Sequence, residues 1–279
     1  MSRISKAATL AVASLLALSG TATAQGRIFP RAASFELPVA SPRVHGLVGR
    51  LLSIRRGDNR FGREPEAEVA LGENVPLVAL QQGSRPITLG FGSQVYARFS
   101  LGDSRSAMIS HDWVVGLNTT ATLGRWALTL ELYHESSHLG DEYRDRFAAA
   151  RLDWSREVAV SWVSYSTGSW RFTGSASYVL LDELRLERPG GSLAVDFVGR
   201  PIGNVFGGSL KPLAGIYWEG TAATQWRVSS SAKLGVTIAS PENGRDVGFA
   251  LIVHDGLSTQ RQFFREPSRY VGMEVRLDL

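Results

Sequence analysis

Residues Leu132 to Glu142 read LYHESSHLGDE and contain His134-Glu135-Ser136-Ser137-His138, a literal H-E-x-x-H. On a helix, the two histidines would share one face and bind zinc, with the glutamate as general base. On a strand, residues four apart lie about 13 Å from each other, at ~3.3 Å per residue. Zinc needs both nitrogens at about 2.0–2.1 Å. The same five residues also hold a second arrangement, His134-x-Ser136, in which an imidazole two positions from a hydroxyl can act as base to a serine nucleophile. Which chemistry is open depends on the element that carries them.

That element reads as a strand. In WALTLELYHES, Leu128, Leu130 and Leu132 share one face, while Thr129, Glu131 and Tyr133 share the other. Period two sorts side chains onto two faces only in a strand. The spacing therefore removes the zinc-peptidase reading. His134, Ser136 and His138 continue the leucine face.

Alternation dominates the whole chain. His111, Trp113, Val115, Leu117, Thr119, Ala121 and Leu123 alternate with Ser110, Asp112, Gly116, Asn118, Thr120 and Thr122, broken only by Val114. WRFTGSASYVL (170–180) and WRVSSSAKLGVTI (226–238) behave alike. The polar faces suit an aqueous lumen. The apolar faces begin or end at Trp126, Trp170, Tyr178, Trp218 and Trp226, as interfacial girdles do. Segments of about ten residues match a tilted strand crossing a bilayer.

These patterns predict an all-β, transmembrane antiparallel β-barrel of about 12 strands. The strands are placed near 44–54, 67–80, 86–99, 109–123, 126–136, 150–165, 169–181, 192–199, 209–218, 225–238, 246–254 and 269–279. Short turns at Gly124-Arg125, 166–168 and 82–85 alternate with long polar connections near 55–66, 100–108, 137–149, 182–191 and 255–268, as in outer-membrane barrels. The connections near 200–208 and 219–224 do not follow the rule. The chain ends in mid-strand, with Val271, Met273, Val275, Leu277 and Leu279 on one face. That terminal strand resembles the insertion signal of outer-membrane barrels, although Leu279 stands where an aromatic residue is usual.

Residues 1–24 read as a signal peptide: Arg3 and Lys6, an apolar run from Ala7 to Leu18, and an Ala22-Thr23-Ala24 cleavage site. The barrel is expected to occupy 25–279, in the outer membrane of a Gram-negative bacterium. Losing Arg3 and Lys6 from 30 basic residues leaves 28 against 26 acidic ones, a net +2. That balance and the lack of a basic block predict no nucleic-acid partner. The absence of cysteine excludes disulfides and thiolate metal sites. Membrane lipid is the expected partner, a homo-oligomer is compatible with the pattern, and no cofactor is expected.

Parity directs His134 and Ser136 to the lipid. Eight residues above Trp126, His134 sits about 19 Å up a band about 25 Å tall. Here the sequence resembles outer-membrane phospholipase A and the lipid A deacylase, which carry His-x-Ser on an outward-facing strand near the outer leaflet. The resemblance implies His134 as base and Ser136 as nucleophile. Ser137 stands where those families have Asn. The third member would come from the next strand, where Asp153 is the candidate; the sequence pattern assigns it lumen parity together with Arg151, Ser155 and Glu157. A broader resemblance joins LYHESSHLGDEY, SPRVHGLVGR and SWRFTGSASYVL. It identifies the chain with an exported bacterial family, domain of unknown function 1207, whose hallmark is Ser136 to Glu142, and it implies an envelope location without a reaction.

Four readings stay open at this level: an outer-membrane barrel of unspecified activity, a hydrolase of outer-leaflet lipid esters, a passive channel for small polar solutes, and a rim site. In the last, His138, Asp141 and Glu142 either order a loop, with Gly140 making its turn, or bind a surface ligand or metal. His45, His111 and His254 read as structural.

Overall fold

The computed structural model describes residues 25–30, 35–82, 85–102, 106–240 and 245–277. The expected signal peptide and Leu279 lie outside them. Twelve antiparallel strands close into a barrel: β2 (Leu47–Arg56), β3 (Glu66–Gln82), β4 (Arg85–Ser100), β5 (Met108–Leu123), β6 (Trp126–Leu139), β7 (Trp154–Thr167), β8 (Trp170–Asp182), β9 (Pro189–Val198), β11 (Gly208–Thr221), β12 (Ser229–Ala239), β13 (Asp246–Leu257) and β14 (Pro267–Leu277). Each pairs with its neighbours in the chain, and β14 closes on β2. Two short strands, β1 (Gln25–Ile28) and β10 (Gly203–Val205), pair with β3 and β11. The strand count agrees with the alternation, because closure leaves no unpaired edge in lipid. One end carries the long connections, the other the short turns and both termini. The 199–207 connection is long because it folds back as β10. The expected strand start at 225 moves to 229, with Gln225 and Trp226 at positive φ.

Alternation sorts as the sequence reads on most strands. Along β5, Trp113 and Leu117 are exposed, and Ser110, Asp112, Asn118 and Thr120 are buried inside. β7 is the exception. Its apolar residues Val158, Val160 and Trp162 face the lumen, while Ser155, Glu157 and Ser161 face outward. The lumen parity expected for Ser155 and Glu157 is therefore reversed.

The cause is residues 35–46. The expected strand from 44 starts only at Leu47; the chain before it, broken by Pro38 and Pro42 and turned at Gly46 (φ 115°), runs inside the barrel. Phe35 packs with Val158, Val160, Trp162 and Val179 in an apolar cluster, its ring 5.5 Å from that of Trp162. A plug that brings a phenylalanine inside needs apolar wall residues, so β7 turns its valines inward. Extended backbone inside a barrel must find partners from the wall. Asp196 accepts from Val39 N (2.9 Å), Arg50 Nη1 donates to Pro42 O (2.6 Å), and Gln94 Nε2 donates to Gly46 O (3.1 Å).

On the side of β2, β3, β4 and β14, ion pairs fill the lumen. Lys233 and Arg50 share Glu274 (2.6 and 2.7 Å), Arg50 also pairs with Glu68, and Arg98 joins Glu68 (2.6 Å) to Glu66 (3.0 Å). At the long-loop end, the turn Arg261–Phe263 folds inward. Arg261 Nε reaches Glu135 (2.9 Å), which also pairs with Arg43 (3.2 Å), and Arg43 pairs with Asp112 (3.1 Å).

Candidate functional site

The site lies on the outer surface where β5, β6 and β7 run side by side. His134 is paired in register with Val115 on β5 and Glu157 on β7; Ser136 is paired with Trp113 and Ser155. All face away from the lumen. His134 Nδ1 and Glu157 Oε1 lie 2.9 Å apart, each side chain 39 % exposed. Between them, Glu135 points inward, buried, and takes Trp154 Nε1 (3.0 Å) along with its two arginines. The strand thus separates the two halves of the H-E-x-x-H string. Among the described residues, no three metal-binding side chains converge.

The tautomer follows from the pairing. A carboxylate at Nδ1 accepts a hydrogen bond from a protonated Nδ1, and the neutral ring then carries its lone pair on Nε2. Ser136 lies two positions along the same face, about 7 Å away at the backbone. Trp113, 50 % exposed, flanks the serine, and its Nε1 donates to His111 Nδ1 (2.8 Å). His111 and His138 are register partners, with rings 5.2 Å apart. Because Trp113 uses the lone pair of His111 Nδ1, the neutral ring keeps its proton on Nε2 and presents no free lone pair to a metal.

Glu157, and not Asp153, meets His134. Asp153 precedes the strand and pairs with Arg151 (3.7 Å) at the exposed rim. Glu157 faces outward through the regular alternation of β7 and its unbroken register with β6; beside it, β8 carries one extra residue, Leu180, between the partners of Glu157 and Val158. The connection of 140–153 sets no register of its own, so spacing could not place Glu157. One signal was present: an Arg156 directed inward requires Glu157 to point out.

Above the site, His138 still belongs to β6, where a loop was expected. Gly140 turns the chain there: a Cβ would stand 2.0 Å from Met108 O. A helix, α1 (Asp141–Phe147), follows, with Asp141 paired to Arg144 (3.2 Å). Its Tyr143 is buried against Phe61, Phe147 and Phe263. His111, His138, Asp141 and Glu142 line a shallow hollow on the rim. His45 and His254 serve the interior; His254 bridges Ser231 (2.9 Å) and Leu257 O (2.9 Å) and stacks on Tyr270.

Closed barrel, girdled apolar exterior and ion-paired lumen define an outer-membrane β-barrel. Residues 2–278 match the family described as "Protein of unknown function (DUF1207)", and the chain belongs to that family. No curated protein matches it. Among solved structures it is similar to the outer membrane phospholipase (OMPLA) dimer with bound calcium from Salmonella typhi (TM-score 0.57, 12 % identity, 88 % of this chain and 93 % of that one). Outer membrane phospholipase A from Escherichia coli gives a TM-score of 0.58 at 13 % identity, with 87 % and 94 % covered. LpxR from Salmonella typhimurium gives 0.41 at 13 % identity, with 84 % and 100 % covered.

Proposed function

We propose that this barrel is a serine hydrolase of outer-leaflet lipid esters, working from its lipid-facing surface in the outer membrane of a Gram-negative bacterium after removal of residues 1–24. The observation that carries it is the His134–Glu157 pair beside Ser136 on a surface that presents Trp113, Val115, Leu128, Leu130 and Leu132 to the lipid. Polar groups on a lipid face are destabilising at depth and nearly neutral near the rim. A histidine with a carboxylate at one nitrogen and a serine two positions along the same strand face supplies the groups of a general base, its orienting partner and a nucleophile.

In this reading Ser136 Oγ attacks the ester carbonyl while His134 Nε2 takes its proton. Glu157 holds the ring and stabilises the imidazolium. The tetrahedral adduct collapses to an acyl-serine, and His134 returns the proton to the departing alcohol. Water then enters by the same route and releases the fatty acid. The substrate arrives laterally, so the lumen need not conduct. Residues 35–46 and the lumen ion pairs count against a passive channel. The relatives titled as outer membrane phospholipase share the barrel, and one is titled a dimer with bound calcium, which makes self-association in the membrane part of the same proposal.

The test is release of fatty acid from phospholipid and lipopolysaccharide bilayers by the reconstituted protein. Wild type should release it, and Ser136→Ala and His134→Ala should not. No release from either lipid class by folded wild type sinks the proposal.

A further inference from the structure

The lumen is not filled evenly. On the side of β2, β3, β4 and β14 it is solid with ion pairs. On the side of β6 to β9 and β11 a cavity of about 200 Å³ remains, bounded below by Leu37 of the plug and reaching the long-loop end. Along β7 its wall reads Arg156, Val158, Val160 and Trp162, a guanidinium above an apolar slot.

The charges around this cavity are unequally satisfied. Arg156 is 8 % exposed, yet the carboxylate it pairs with, Asp182, stands 3.6 Å away, beyond a hydrogen bond. Asp182 is already committed to its own turn, taking Leu184 N (3.2 Å) and Leu186 N (2.9 Å). Arg156 Nε and Arg43 Nη2 are buried without an acceptor among the described residues, and both residues line the cavity. No buried acceptor lining it lacks a partner. Its acidic residues are occupied or exposed: Glu135 by Arg43 and Arg261, Glu219 by the Tyr217 hydroxyl (3.3 Å), Glu131 by Trp162 Nε1 (3.2 Å), with Glu187 at the rim. A buried donor left unpaired is destabilising, so the unmet demand is for acceptor oxygens.

We propose that the cavity binds a small monocarboxylate with an apolar body, entered from the long-loop end. The carboxylate meets Arg156, which Trp154 holds from its face at 4.8 Å. The apolar body lies against Val158, Val160 and Val179. Glu131, opposite Val160 in register and bonded to Trp162 Nε1 (3.2 Å), stands deeper and offers a second carboxylate no cation. The site is separate from Ser136 and does not depend on the hydrolase reading.

The experiment is isothermal titration of the refolded full-length Ser136→Ala protein in detergent with benzoate, benzamide and terephthalate. Benzoate should bind, with benzamide and terephthalate each weaker by roughly tenfold or more, the loss expected when a charge-assisted hydrogen bond is removed or a second carboxylate is buried without a cation. Arg156→Gln should weaken benzoate similarly. Ser177→Phe, which fills the cavity and spares Arg156, should abolish binding if Arg156→Gln does not refold. Equal affinity for benzoate and benzamide, binding indifferent to both substitutions, or no benzoate binding at millimolar concentration would overturn the proposal.

Discussion

Two sets of charged residues sit on opposite faces of the same barrel wall, and they are organised in opposite ways. Inside, Arg50, Glu68, Arg98, Lys233 and Glu274 are almost wholly buried, and each shares partners with its neighbours. Outside, His134 and Glu157 form one pair, part exposed, with Ser136 beside it. Glu135 and His134 are adjacent in sequence, yet one anchors Arg43 and Arg261 and the other faces lipid. A shared network fixes shape because every charge is neutralised. A single imidazole held at one nitrogen keeps the other available. In the proposed reading, the inner set is structural and the outer set reacts.

The contrast is sharpest in activity. Ser136→Ala or His134→Ala should lower ester hydrolysis by about 10³-fold or more, as for members of a serine triad, with the heat-modifiable gel shift of the folded barrel unchanged. Glu157→Gln keeps the shape but removes the charge that fixes the tautomer; a loss of roughly 10²-fold is expected, with partial return in Glu157→Asp. An unchanged rate in Glu157→Gln would reduce the pair to a rim contact.

Substitutions inside should do the reverse. Glu68→Leu removes the carboxylate that two buried arginines share, leaving Arg50 only Glu274 and Arg98 only Glu66, and should cost about 3–5 kcal/mol in urea unfolding from micelles, while the hydrolysis rate of the folded fraction holds. Phe35→Ala opens the apolar cluster at the plug and should cost about 3 kcal/mol. A large activity loss from either, without a stability loss, would erase the distinction between the two faces.

The twelve strands were legible because closure and bilayer crossing impose period two, and His134 and Ser136 were legible because they continue the face of Leu128, Leu130 and Leu132. Glu157 was not. Its strand follows a connection that contains α1, so no tight turn fixed its register. Its parity was masked because the rule that apolar residues face lipid fails where Phe35 enters the lumen. The plug itself gave no periodic signal: residues 35–46 have no strand pattern and hold two prolines, and only wall side chains such as Asp196 and Gln94 explain their place.

The smallest expected effect is on pH. His45, in the plug beside Gly92, has its imidazole pushed down to about 4 by burial, with Arg276 adding to the effect. Its folded value lies below the unfolded value of about 6.5. The unfolded chain therefore binds more protons between the two. The stabilisation is full above about 6.5 and is lost as pH falls through about 4. Unfolding midpoints across that window should fall with acid, and His45→Asn should flatten the slope.

The central claim is that Ser136 is a nucleophile activated by His134. Treatment of the reconstituted barrel with a long-chain alkyl sulfonyl fluoride, followed by peptide mass spectrometry, tests it most directly. The account predicts one sulfonyl adduct, on Ser136, lost in His134→Ala. An unmodified Ser136, or labelling that persists without His134, would contradict it.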